Sequence, residues 1–352
     1  MKSHLFRFII SVFCLLFFFF VDGISSVFFK HIGKSDGLSN ISVVSISQDE
    51  LGRMWFGTNE GLNCYDGTSI KAYKASTVKG CDFLRNEIHS LLCDKKGSVF
   101  FISEYNLIRF DLYKERFYEI GIKATSLYSF DEDVYAINEN NIFKWSREKN
   151  KFELYYEICP YKTIKCIYKE KCGRLWLGTY DGLYYIDDLS ISPVCVIDDI
   201  NIYSMYFDRI GNMWIATSNE GVYKVDKKMK IESNFNTSSK DVRCFIEDND
   251  GNIWVGTYKG LDKIDTLGNV TNFQRGLFAG SLTYSSIFSL YKDHQGTIWV
   301  GTYYGGVHYF NNSTGLYRHY GEFIVDNKLD GVNYPYVGNM LEDRSGNIWI
   351  CT

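Results

Sequence analysis

Six aspartates, Asp49, Asp94, Asp208, Asp248, Asp293 and Asp343, each stand three residues before a glycine and six before an aromatic residue. Two carboxylates about 5 Å apart can cleave a glycosidic bond, whereas a single carboxylate beside Asn and Gly accepts backbone amides in a tight turn. The spacing favours the second use. The phrase returns at irregular intervals of about 40 residues, so each carboxylate belongs to its own copy of one structural unit. Chemistry with a ligand is better sought just after the Gly-Thr pair that closes the phrase. The short turns there carry Asn59 and Glu60, Tyr180 and Asp181, Asn219 and Glu220, Tyr258 and Lys259, and Tyr303 and Tyr304. Tyrosine rings stack on sugar faces, and Asn, Asp, Glu and Lys hydrogen-bond hydroxyls. Surface turns are polar in any protein, so these ten are candidate ligand contacts, and none is assigned a catalytic role.

The elements that must hold those turns follow from the pattern around each tryptophan. In the copy at Trp254, residues 242–247 alternate as a first strand and 248–252 supply turn residues. Residues 253–257, 261–265 and 269–274 read as three further strands. Four short antiparallel strands, repeated radially, make a propeller blade. The Trp serves as an apolar plate between blades, and Gly57, Gly178, Gly256 and Gly301 let backbones approach closely. Second strands centre on Trp55, Phe100, Tyr135, Trp176, Trp214, Trp254 and Trp299. Phe100 and Tyr135 mark worn copies, and an eighth copy at Trp349 breaks off at Thr352. A ring must also hide its edge strands. The segment Phe28-Phe29-Lys30-His31-Ile32 resembles Leu316-Tyr317-Arg318-His319-Tyr320, so it is expected to complete the last blade. The fold class is therefore all-β, a β-propeller of seven four-stranded blades over 24–315. Residues 316–352 would start a further blade.

Composition agrees with strands: Tyr and Phe number 27 and 26, against three prolines. Lys2 and Arg7 precede an apolar run from Phe8 to Val21 that is shorter than the ~20 residues of a membrane span. Residues 1–23 read as a secretory signal, which would place the chain in the periplasm. The cysteines are irregularly spaced without a CxxC pair and read as small buried fillers, giving no metal site. No cofactor motif is present. A formal charge of −4 without a basic block argues against nucleic acid as a partner.

The opening run Ser35-Asp36-Gly37-Leu38-Ser39-Asn40, followed by Asp49 to Gly67 and the later Trp-x-Gly-Thr copies, resembles the two-component regulator propeller repeat. The resemblance implies the periplasmic sensor of a hybrid two-component receptor. In such receptors two propellers precede a β-sandwich, a membrane helix, a histidine kinase, a receiver and a DNA-binding module. It further implies an oligosaccharide ligand released from complex glycans, control of polysaccharide-utilisation genes, a homodimeric arrangement, and the rest of a receptor kinase as partner. The chain would then be a fragment of a receptor, a truncated gene product, or a short relative that binds without signalling, and in each case without kinase activity of its own. A protein-interaction scaffold is the alternative reading. A glycan-cleaving propeller enzyme is a weaker one, since the Asp lies three residues before its Gly, where the Asp box of sialidases has two.

Overall fold

The computed structural model describes residues 27–75, 86–158, 163–189, 192–228, 230–232, 235–277, 280–311, 323–325, 328–330, 338–342 and 348–351. The expected signal segment, the expected boundary at 315 and the segment 316–320 lie outside them. The described residues fall into two compact units, divided between Phe310 and Asn311. In the second, Asn339–Glu342 pairs with Ile348–Cys351, and Phe323–Val325 with Lys328–Asp330.

The first unit holds seven four-stranded antiparallel sheets. Blade 6 consists of Val242–Glu247, Ile253–Thr257, Leu261–Ile264 and Val270–Phe273, each within a residue of its expected bounds. The first strands of the blades are Val43–Gln48, Ile88–Cys93, Ser126–Phe130, Ile164–Lys169, Ile202–Phe207, Val242–Glu247 and Ile287–Lys292. Each packs against the next and the last against the first, which closes the ring. In blade 7, Lys30–Ile32 pairs with Val307–Phe310, so the N-terminal segment supplies the fourth strand.

The hydrophobic core is divided into seven clusters, one at each blade junction. Trp55 packs with Leu91, Val99 and Phe110 of blade 2, and Trp254 with Ile287, Ile298 and Val300 of blade 7. The tryptophan is more than a plate, because its indole N–H is satisfied by the repeated aspartate. Asp248 Oδ1 accepts the amides of Asp250 and Asn252 at 3.0 and 2.9 Å, while Oδ2 accepts Trp254 Nε1–H at 2.9 Å. Asp49–Trp55, Asp208–Trp214 and Asp293–Trp299 repeat the bond at 2.8, 3.0 and 2.8 Å. Glu170 does the same for Trp176 in blade 4. One buried carboxylate thus fixes the turn and the inter-blade wedge together.

The worn copies show what replaces it. In blade 2, Phe100 has no N–H, and Asp94 Oδ2 is buried without a hydrogen bond; Arg147 of blade 3 stands 3.3 Å away as an ion pair. In blade 3 the whole turn shrinks to Asp131 and Glu132, both left-handed at φ 48° and 68°. Tyr135 takes the tryptophan's place, and its hydroxyl accepts from Lys169 Nζ at 3.2 Å. The cysteines divide: Cys64, Cys93 and Cys166 are buried as expected, while Cys172, Cys195 and Cys351 are exposed, a departure from the filler reading.

The seam of the ring carries a histidine pair. His31 on the N-terminal strand faces His308, with ring centroids 4.9 Å apart. His308 is fully buried, its Nε2 accepts the Thr283 amide at 3.0 Å, and its Nδ1 has no partner. Burial, and then His31, push its pKa down to about 3.

Two outcomes follow for stability. In a double-mutant cycle read by urea denaturation, Asp248→Ala and Trp254→Phe are expected to couple by roughly 1.5–3 kcal/mol, the worth of a hydrogen bond to a charged group. Strict additivity would remove the bond from the account. His308 is neutral when folded and protonates in the unfolded chain from about 6.5, its unperturbed value. Its contribution is therefore complete above pH 6.5 and falls away as pH drops toward 3. His308→Gln should flatten the melting-temperature profile between pH 6.5 and 4 relative to the parent, and parallel profiles would contradict this.

Candidate functional site

The Gly-Thr pair shapes the turn that follows it. The hydroxyls of Thr58, Thr179, Thr217, Thr257 and Thr302 donate to the carbonyls of Gly61, Gly182, Gly221, Gly260 and Gly306 at 2.8–2.9 Å. Each also accepts an amide from within its turn, those of Glu60, Asp181, Glu220, Lys259 and Gly305. With the backbone pinned from below, the side chains of the turn are left to solvent. All ten sequence-predicted residues sit on second-to-third-strand turns, and the radial repeat brings those turns to one face of the ring. Glu60, Asp181, Asn219, Glu220 and Lys259 are exposed, Tyr180, Tyr258 and Tyr304 are each 52% exposed, and Asn59 and Tyr303 are half-buried.

A second tier of residues escaped the sequence reading. In six of the seven blades the register between first and second strands skips one residue at the same place. The skipped residues are Val44, His89, Lys165, Tyr203, Arg243 and Phe288. Such a bulge takes a residue out of the ladder and re-aims its side chain. Four of the six meet the aromatic turn residue of their own blade. His89 lies 6.2 Å from Tyr105 between ring centroids, and Lys165 Nζ stands 3.9 Å over the Tyr180 ring. The Arg243 guanidinium stands 5.1 Å over Tyr258, and Phe288 stacks on Tyr303 at 5.3 Å. Bulge and turn residues thus form two concentric tiers around the mouth of the ring. The signal in the sequence is a variable residue between Val or Ile and Ser or Cys, as in Val-Val44-Ser, Ile-His89-Ser, Ile-Lys165-Cys, Ile-Tyr203-Ser, Val-Arg243-Cys and Ile-Phe288-Ser.

The inter-blade links are clamped to the same face. Ser39 donates its amide to Asn63 Oδ1 at 2.9 Å, Ser238 to Asp262 Oδ2 at 2.9 Å, and Thr283 to His308 Nε2 at 3.0 Å. The three acceptors occupy matching positions on third strands. Burial raises the Asp262 pKa, opposed by its hydrogen bonds from Asn272 and Ser238. The mouth is most aromatic at blades 6 and 7. There Arg243 lies between Tyr258 and Phe288, 4.2 Å over the latter, and donates to Ser286 Oγ at 3.1 Å. Tyr303, Tyr304 and Tyr284 continue the patch, at centroid separations of 4.1 and 5.8 Å.

The acids of the mouth do not converge on one reacting centre. Glu60 pairs with Lys74 at 3.7 Å, Asp181 Oδ1 lies 2.6 Å from Thr179 Oγ1, and Glu220 accepts from Tyr223 at 2.7 Å. Asp241 faces Arg243 at 3.6 Å. Each is engaged within its own blade. The arrangement presents ring faces, hydroxyls and cations over a wide mouth, which suits recognition of an extended polar ligand.

A radially repeated, seven-bladed β-propeller with a polar and aromatic mouth is the class that fold and site define. Four segments of the chain, residues 37–60, 197–219, 237–259 and 281–304, match the family described as "Two component regulator propeller". Each matched segment takes in an inter-blade link, the first two strands and the turn after them, so it spans both tiers. Histidine kinase P4 of Formosa agariphila is 46% identical over 50 residues, which is 14% of this chain and 4% of that protein. Among solved structures, the extracellular domain of the hybrid two component system BT3049 from B. thetaiotaomicron aligns with a TM-score of 0.70 at 21% identity. The alignment covers 92% of this chain and 52% of that one. Virginiamycin B lyase from Staphylococcus aureus aligns with a TM-score of 0.59 at 11% identity, over 77% of this chain and 95% of that one. At these identities the structural likeness is one of fold. The chain spans about half the length of the solved sensor domain. No helix among the described residues is long and apolar enough to cross a membrane.

Residues that serve the mouth and not the frame should be dispensable for folding. Tyr180→Ala, Tyr258→Ala and Tyr304→Ala are each expected to shift the melting temperature by about 2 °C or less, as exposed substitutions do. Gly256→Ala should instead destabilise by about 1–3 kcal/mol, because a Cβ there would strike Cys244 Sγ and lie 2.9 Å from Ile287 Cγ2. Equal losses in the two groups would dissolve the distinction.

Proposed function

We propose that this chain is the ligand-recognising propeller of an exported two-component receptor. Its mouth binds oligosaccharides released from complex glycans, and through the receptor controls genes for their use in the periplasm-facing manner of such sensors. The observation that carries the reading is the two-tier mouth, where variable aromatic and polar residues ride on a frame that is constant from blade to blade. A sugar needs both apolar ring stacking and hydroxyl partners, and the tiers supply them side by side. The repeats and the sensor-domain fold support attachment to a histidine kinase, which would carry the phosphotransfer. A ligand that prefers one arrangement of two sensor protomers would shift a homodimer toward it. The enzyme reading draws on propeller lyase neighbours, and acids held within separate blades weigh against it.

Isothermal titration against a panel of plant, algal and host oligosaccharides tests the proposal. At least one is expected to bind in the micromolar range, with Tyr258→Ala and Tyr304→Ala weakening it by roughly tenfold each, about 1.4 kcal/mol. Release of new reducing ends during incubation would overturn the non-catalytic reading, and tight binding untouched by both substitutions would move the site elsewhere.

A further inference from the structure

The two tiers of the mouth differ in charge. Among the six bulge residues, Lys165 and Arg243 are cationic, His89 is an imidazole and none is acidic; acids stand on the outer turns, at Glu60, Glu104, Glu139, Asp181 and Glu220, and on the links, at Glu87 and Asp241. Three of the outer acids are turned to partners in their own blades: Glu60 to Lys74, Asp181 to Thr179 and Glu220 to Tyr223. His89 lies beside Glu87 at 3.9 Å, whereas Lys165 and Arg243 are held against rings. Lys165 Nζ lies 3.9 Å over Tyr180, and Arg243 lies 5.1 and 4.2 Å over Tyr258 and Phe288, with Asp241 at 3.6 Å on its far amino group. A ring face orients a cation but carries no net charge to cancel it, so a cation held this way remains able to pair with an anion. The same contact fixes the cation beside an exposed tyrosine, the surface on which a sugar ring stacks. Cation and stacking plate therefore come as a unit, repeated at blades 4 and 6 on the same face.

Resting on the mouth being a sugar site, we infer that its ligand is an acidic oligosaccharide, one bearing carboxylate or sulfate groups. Lys165 and Arg243 receive the acidic groups while Tyr180 and Tyr258 stack on the sugar rings that carry them. Lys165 is a direct contact. Arg243, packed between two rings and bonded to Ser286, also holds Tyr258 and Phe288 in place.

The test is a glycan array carrying uronate-containing, sulfated, sialylated and neutral oligosaccharides, followed by titration of the sugars retained. Retained sugars are expected to be acidic. Methyl esterification or desulfation should weaken them by tenfold or more, and raising the salt from 50 to 500 mM should weaken them severalfold. Lys165→Gln should cost about tenfold while Lys165→Arg restores most of it; Lys96→Gln, on the turn between first and second strands of blade 2, should cost nothing. Retention of neutral sugars alone, or equal binding by Lys165→Gln and the parent, overturns the acidic reading and leaves sugar recognition standing. Retention of no sugar by the folded protein overturns both.

Discussion

A four-stranded blade has two apolar faces and can bury neither by itself, so every blade depends on the next. That dependence is met by seven inter-blade clusters, each centred on a large second-strand aromatic residue. A buried tryptophan brings a polar N–H that must be satisfied, because an unpaired buried donor costs about 1–3 kcal/mol. The aspartate six residues earlier answers that need and at the same time accepts the amides of its own turn. Turn geometry, strand register and blade contact are therefore set by one carboxylate. Where the tryptophan is lost, in the adjacent blades 2 and 3, the carboxylate either seeks an arginine or disappears with its turn.

This arrangement separates frame from function. The constant residues, Asp, Trp, Gly and Thr, are consumed by burial and by bonds within the frame, leaving them nothing to offer a ligand. Thr257 illustrates the division: it is fully buried, bonded to Gly260 and Lys259 backbone atoms, and presents the Tyr258-Lys259 pair above it. The bulge completes the division on the inner strand. In six of the seven blades one residue leaves the ladder without disturbing the Val or Ile before it, as Ile287 still packs against Gly256 of the preceding blade. Variation at these two positions changes the mouth and leaves the core as it was.

Much of this was legible in the sequence, and the reasons mark where legibility ends. The strands of blade 6 were readable to within a residue because alternation and turn residues are local signals. The worn blades survived the loss of signature because Phe100 and Tyr135 preserve bulk at the junction. The indole bond was hidden because tryptophan was read by size alone, although the constant six-residue interval, kept even at Glu170 and Trp176, encodes it. The bulges were hidden for a deeper reason. A one-residue slip in pairing leaves no trace in the alternation of a single strand and appears only when two strands are laid side by side. The clamps were likewise invisible, since Ser39 and Asn63 are joined only by the fold.

The seam of the ring ties closure to the mouth. Blade 7 is completed by a strand from the chain's beginning, held without a covalent link, and its second-to-third turn also grips the link into blade 1. Gly306 donates its amide to Ile41 at 2.8 Å, Ser42 donates to the Tyr303 carbonyl, and His31 contacts the Gly305 carbonyl at 2.8 Å. Tyr303 and Tyr304, the most aromatic turn of the mouth, thus stand on the junction that holds the two ends of the ring together. A ligand stacked there binds only the closed ring, so by linkage its binding free energy adds to the closure of blade 7. A ligand bound at this turn would therefore reinforce the one junction that is closed without a covalent link, and occupancy of the turn would be coupled to integrity of the ring.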